Sequence, residues 1–195
     1  MMRIVLLLAG CCWISASSAL AGPNVDAALA AAPDLDSAGL ESLCVNGPPR
    51  QANWGGAEAE QLVRLGWGKF GANDAASALK LFDAALNTGP ERPDAYWGLA
   101  IAGHVAGRDI AAVDACFARA QALLPEVAGV FADHGRALES RGDFDAAIEK
   151  FRHALALDPE FREAHVGMAR AMLAKGDDTG AQPHISFLQS GQSAR

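Results

Sequence analysis

Five histidines (His104, His134, His153, His165 and His184) and four cysteines (Cys11, Cys12, Cys44 and Cys116) are the side chains of this 195-residue chain best suited to holding a metal or attacking a substrate. Zinc hydrolases place two histidines four apart on one helix, so that both imidazoles leave the same face. No histidine here has such a partner. Cys116 stands beside Phe117 with no signature of an activated nucleophile around it. No phosphate-binding glycine loop, dinucleotide fingerprint or zinc spacing occurs either. The expectation is therefore no catalytic residue, no metal and no cofactor.

The elements that would position any site are helical. Half the residues (51%) are hydrophobic, only 7% are aromatic, and alanine supplies much of the apolar total. That composition supports a core and suits close-packed helices with small contact residues. Sixteen basic residues stand against 23 acidic ones, a net charge of −7, and no basic cluster appears. A binder of duplex nucleic acid is thereby disfavoured.

Residues 1–21 read as a signal peptide. Arg3 precedes an apolar run from Ile4 to Ile14, and Ala19-Leu20-Ala21 offers the small-x-small pattern for cleavage before Gly22. The run is well short of the ~20 residues that cross a bilayer as a helix. Leu8-Ala9-Gly10-Cys11 is also similar to a bacterial lipobox, in which Cys11 would carry lipid and tether the protein to a membrane. Export to the periplasm is the expectation, with a lipoprotein anchored at Cys11 as the alternative. After cleavage Cys44 and Cys116 remain, and their spacing does not decide between a disulfide and buried thiols. Residues 22–58 are rich in Ala, Gly and Pro and are expected to be a flexible segment, with room for a short helix over Leu35–Val45.

Beyond it the chain repeats itself. DAASALKLFDAALNTGPE (74–91), DIAAVDACFARAQALLPE (109–126) and DFDAAIEKFRHALALDPE (143–160) align on their prolines, at spacings of 35 and 34. Asp74, Asp109 and Asp143 open each segment as helix N-caps. Phe82, Phe117 and Phe151 follow, then Ala85, Ala120 and Ala154, then Pro90, Pro125 and Pro159, where the helix must stop. A partner helix precedes each segment, aligned on Gly66, Ala100, Gly135 and Ala169. The one extra residue falls between Ala100 and Asp109.

Large residue, Leu-Gly, Ala-x-x-x-Phe-x-x-Ala and terminal Pro in this order resemble the tetratricopeptide repeat family. The first unit matches through Leu62, Gly66, Ala78, Phe82, Ala85 and Pro90, the third through Phe131, Gly135, Ala147, Phe151, Ala154 and Pro159. Lys69 and Gly103 replace the family's aromatic, Val113 an alanine, and His134 a leucine. The resemblance implies an all-α, right-handed solenoid of stacked helical hairpins. Its units run over 59–92, 93–127 and 128–161, with a degenerate fourth or cap at 162–188, irregular after Gly176, and a tail at 189–195. His134 and His165 fall at core-facing positions, where a packed, hydrogen-bonded role is expected.

The resemblance also implies a concave groove lined by the first helix of each unit. Projection puts Val63, Trp67 and Phe70, then Trp97, Ile101 and His104, then Arg136 and Glu139, then Val166, Arg170 and Leu173 on it. With repeats stacked about 10 Å apart, Arg136 and Arg170 would face one anionic group. The bland reading stays open, with the tryptophans packing between repeats and the arginines paired to Glu139 and Glu163. The function so implied is a non-catalytic scaffold or assembly factor that holds a protein or peptide partner, with no nucleic acid and a membrane only if Cys11 is lipidated. The alternatives are a lipid-anchored pilot for an outer-membrane, pilus or secretion complex, and a regulatory subunit of an envelope enzyme.

Overall fold

The computed structural model describes residues 29–30, 32, 34–47, 56–88 and 92–190, which hold nine helices and no strand. They are α1 (Ser37–Asn46), α2 (Gly56–Gly71), α3 (Ala75–Thr88), α4 (Pro93–Val105), α5 (Ile110–Leu123), α6 (Ala128–Ser140), α7 (Phe144–Leu157), α8 (Arg162–Ala174) and α9 (Asp178–Ser190). From α2 onward they form four hairpins, α2/α3 to α8/α9, stacked as a right-handed α-solenoid. The signal-peptide region with Cys11, and Pro90, lie outside the described residues. None of the described helices is long and apolar enough to cross a membrane.

The hairpin turns are alike because the same residues recur in them. Asn73, Gly107, Gly142 and Gly176 take positive φ, the left-handed conformation that lets the chain reverse. Two of the three aspartates expected as N-caps do cap, Asp74 accepting from the Ser77 amide at 3.1 Å and Asp143 from the Ala146 amide at 3.3 Å. Asp109 does not. The reason is the extra residue. In the first, third and fourth turns the aspartate N–H closes on a carbonyl five residues back: Asp74 on Lys69, Asp143 on Leu138, Asp177 on Met172. In the second turn Arg108 makes that bond to Gly103, so the Asp109 N–H is left over. Ser37 Oγ of α1 accepts it at 2.9 Å.

That contact corrects the expectation of a flexible segment over its middle part. Residues 34–47 form a capped helix fastened to the second repeat. Asp36 accepts from the Gly39 amide at 2.7 Å, and Leu40, Leu43 and Cys44 are buried. Leu40 sits over Gly103, where the family pattern would place an aromatic ring. A disulfide joins Cys44 to Cys116 of α5, with Cα atoms 4.8 Å apart, so the pairing left open by the sequence is made.

Between repeats the aromatic residues act as keys. A β-carbon at Gly66 would stand 2.7 Å from the Phe82 ring, and one at Gly98, in the next unit, has still less room. Phe151 meets Gly135 and Gly167 in the same way. Each ring therefore fills a slot that only glycine leaves open, and the loss of helix propensity at those glycines is offset by interdigitation. The predicted small positions Ala78, Ala85, Ala100, Ala120, Ala147, Ala154 and Ala169 are all buried. Helices end before Pro125 and Pro159 as expected. The fourth unit is more regular than its sequence suggests: α9 runs unbroken through Pro183 to Ser190, and Ile185, at the key position, is only half-buried.

Candidate functional site

Each first helix (α2, α4, α6, α8) packs on the first helix of the next unit, whereas successive second helices do not, so the first helices line the inner side. Of the residues projected there, Val63 and Ile101 are buried in the core and unavailable to a ligand. Trp67, Phe70 and Trp97 are half-buried and hold one another. Trp67 lies edge-on to Phe70 (centroids 6.1 Å), Phe82 (5.2 Å) and Trp97 (5.7 Å). Trp97 also donates from Nε1 to Asp133 Oδ2 at 3.0 Å, bridging the second and third repeats. The tryptophans thus pack between repeats, as the bland reading had it. His104 bonds Ser140 at 3.0 Å, and burial, aided by Arg141 and Arg136, holds its pKa below the ordinary histidine value.

The other half of the groove is polar. Arg136, Arg162, Glu163, Val166, Gly167 and Arg170 surround an open cavity of about 190 Å³. Three arginines thus line one depression, together with Glu163. Arg136 pairs with Asp133 at 2.7 Å and Arg170 with Glu139 at 2.9 Å, yet both arginine side chains remain more than half exposed (55% and 64%). Asp133 is mostly buried, which pushes its carboxyl above the usual carboxylate range against the pull of Arg136 and the Trp97 N–H. Buried acids behind exposed arginines orient the guanidiniums and leave their outer N–H groups for a further acceptor. Leu173, the last of the projected residues, is 46% exposed and does not line the cavity.

Arg162 was not in the projected set. It stands eight residues before Arg170 on α8, two turns along, and that spacing could have found it. Asp133 was missed because its position is a glycine in the flanking units, Gly98 and Gly167. His134 is buried and hydrogen-bonded as expected, stacked on Phe117. His165 packs on Phe187 and meets His184 at 2.8 Å. Among the described residues no group of three or more His, Cys, Asp or Glu is placed to hold a metal.

A stack of four helical hairpins keyed by aromatic rings, with first helices lining an inner side that carries an arginine-lined cavity, defines a helical-repeat interaction module. Two profiles described as tetratricopeptide repeat match residues 63–128 and 138–185, together more than half of the sequence, and the chain belongs to that family. Among solved structures it is similar to MamA (24% identity, 69% of this chain and 73% of that one, TM-score 0.60) and to Pseudomonas aeruginosa pilF (21%, 69% and 62%, 0.63). It is also similar to the first tetratricopeptide repeat domain of Spaghetti bound to the HSP90 peptide SRMEEVD (17%, 65% and 99%, 0.58). At these identities the likeness is one of fold. Proteins of this family mediate protein–protein interaction, and the fold is in general a non-catalytic module.

Proposed function

We propose that this protein is a non-catalytic scaffold that holds the acidic segment of a partner protein in the inner groove of repeats three and four. The observation that carries this reading is that Arg136, Arg162 and Arg170 all line one open cavity, beside Val166. Guanidiniums bind carboxylates in bidentate fashion, and a solenoid presents them along an extended line that suits a peptide. The peptide carried by the Spaghetti domain is acidic at its end, which supports the same class of occupant here. The tryptophans of repeats one and two shape the fold of the groove rather than anchoring the ligand.

The working compartment in this reading is the periplasm. A disulfide between Cys44 and Cys116 suits an oxidising environment, and the leader ending at Ala21 suits export. Mass spectrometry of the mature protein is expected to find a free Gly22, and lipid on Cys11 would overturn that part.

The groove is tested by fluorescence polarisation with labelled peptides ending in a run of Asp and Glu. Wild type is expected to bind them in preference to a Lys-rich control. The double variant Arg136→Ala, Arg170→Ala should lose about tenfold or more in affinity while staying helical, with a lower melting temperature because Asp133 and Glu139 lose their partners. Equal binding by the folded double variant sinks the proposal.

A further inference from the structure

The solenoid is not uniformly cemented. Its buried apolar side chains fall into two groups, one drawn from α1 to α5 with only Val130 and Ala137 of α6, the other from α6 to α8. The second helix of a unit packs closely on the next first helix in α3/α4 and α7/α8, but α5 packs on α1 and only sparsely on α6. The aromatic key differs here too. Where Phe82 and Phe151 enter glycine slots, Phe117 lies flat on the His134 ring, centroids 4.6 Å apart and planes 5° from parallel.

A relay of polar groups crosses this seam. Lys150 Nζ of α7 donates to Gln121 Oε1 of α5 at 3.1 Å. Gln121 Nε2 and His134 Nδ1 of α6 are 3.0 Å apart, and His134 Nε2 and Asp114 Oδ1 of α5 are 3.3 Å apart. Arg141, which caps the end of α6, grips both Asp114 oxygens, at 3.1 and 2.8 Å. These are the charged and polar groups facing His134 from the elements packed on it. An ammonium is only a donor, so it fixes the Gln121 amide with oxygen toward Lys150 and NH₂ toward His134. His134 Nδ1 must then accept, and its single proton sits on Nε2, donated to Asp114. A second proton on Nδ1 would set donor against donor. Turning the amide to relieve that clash would set its NH₂ against Lys150.

We propose that the α5/α6 seam is an acid-released hinge, latched by neutral His134 and opened when Nδ1 takes a proton. The hairpins on either side have apolar cores of their own, so the two halves stay folded as they part, with Phe117, Val130 and Ala137 uncovered at the seam. Burial, reinforced by Lys150, holds the His134 pKa down at about 4, with Asp114 opposing and Arg141 adding to the depression. The latch therefore holds at neutral pH and releases only in acid. On the inner side Trp97–Asp133 and His104–Ser140 straddle the same seam, so release would shift the aromatic half of the groove against the arginine half. That last consequence rests on the groove reading above; the hinge itself does not.

The full-length mature protein is followed from about pH 6.5 to about pH 4 and below by small-angle scattering, far-UV dichroism and histidine ring NMR, with no ligand present. The radius of gyration should rise with the midpoint of the His134 titration while helicity is retained. His134→Leu, which restores the residue type of Leu65, Leu99 and Met168 at this register, should show no expansion at that midpoint. Lys150→Met frees the amide to turn and should move both midpoints upward, toward 6.5. The hinge is overturned if scattering is unchanged while His134 protonates, if helicity falls in step with the expansion, or if His134→Leu expands at the wild-type midpoint. If His134→Leu fails to fold, the Lys150→Met shift decides: coincident movement of both midpoints supports the hinge, and separation of the two rejects it.

Discussion

Leu40 fills the space that Gly103 leaves: a β-carbon on the glycine would stand 2.8 Å from Leu40 Cδ2. One residue lies in a segment outside the repeats, the other at a repeat position where an aromatic ring is expected. The side chain missing from the hairpin is supplied by α1. Leu40→Ala should therefore act as a core truncation despite its place in an Ala- and Pro-rich stretch, costing about 2–5 kcal/mol. Urea denaturation checks this, and a loss under about 1 kcal/mol would mean that α1 merely rests on the surface.

Reduction gives an independent measure of the same clasp. The Cys44–Cys116 bond closes a loop across a sequence separation of 72, for which chain entropy predicts about 4 kcal/mol of stabilisation, with native packing reducing it in practice. Dithiothreitol should lower the melting temperature of the wild type and leave the Cys44→Ser, Cys116→Ser variant unmoved. An unchanged wild type would exclude the bond as a stabilising element.

Two glycines of α2 should respond oppositely to alanine. Gly66→Ala drives a β-carbon into the Phe82 ring and should destabilise by about 1–3 kcal/mol. Gly68, two residues on, has nothing within 4 Å of such a carbon, so Gly68→Ala should stabilise by about 0.5–1 kcal/mol through helix propensity alone. Thermal melts of the two variants decide.

Two buried titratable groups pull stability in opposite directions over one pH range. His134 is held at about 4, below its unfolded value, so the unfolded chain binds the extra proton and stability is lost as pH falls from 6.5. Asp83 is 4% exposed, with Oδ2 unpartnered, and burial raises its carboxyl to about 6 against a bond from Asn87. Its neutral form is favoured in the fold, so its contribution is lost as pH rises from about 4 to about 6. Each effect is at most about 3 kcal/mol. Asp83→Asn should make stability climb more steeply with pH across this window, and His134→Leu should reverse the slope. Equilibrium urea curves at several pH values test both signs, and parallel profiles in all three proteins would refute them.

Most of the solenoid was legible because its determinants are local and recur: a turn residue, a capping aspartate, a key ring, a terminal proline. What escaped were pairings between distant residues. Gly103 and the extra residue at the second turn departed from the repeat pattern, Cys116 fell at a position with no residue in common, and all three prove to be attachment points of α1. A departure reads as noise until its partner is known, and Ser37, Leu40 and Cys44 sit where composition suggests a linker. The groove was half legible. Periodicity placed Arg136 and Arg170 on one face, but it could not tell that Trp67 and Trp97 consume their own surface in mutual contact. Nor could it show that Asp133 would stand behind Arg136.

The position of that disulfide also sets a direction in which the molecule can come apart. Because Cys44 is tied to the second hairpin, the first hairpin sits inside a covalent ring and cannot peel away alone from the amino-terminal side. The opposite end carries no such ring: Ile185 leaves the stacking register unfinished and α9 is held by side-chain packing and the His165–His184 contact. Loss of order should therefore advance from the carboxyl end inward, so the arginine-lined half of the groove is the first to loosen and the tryptophan-lined half the last.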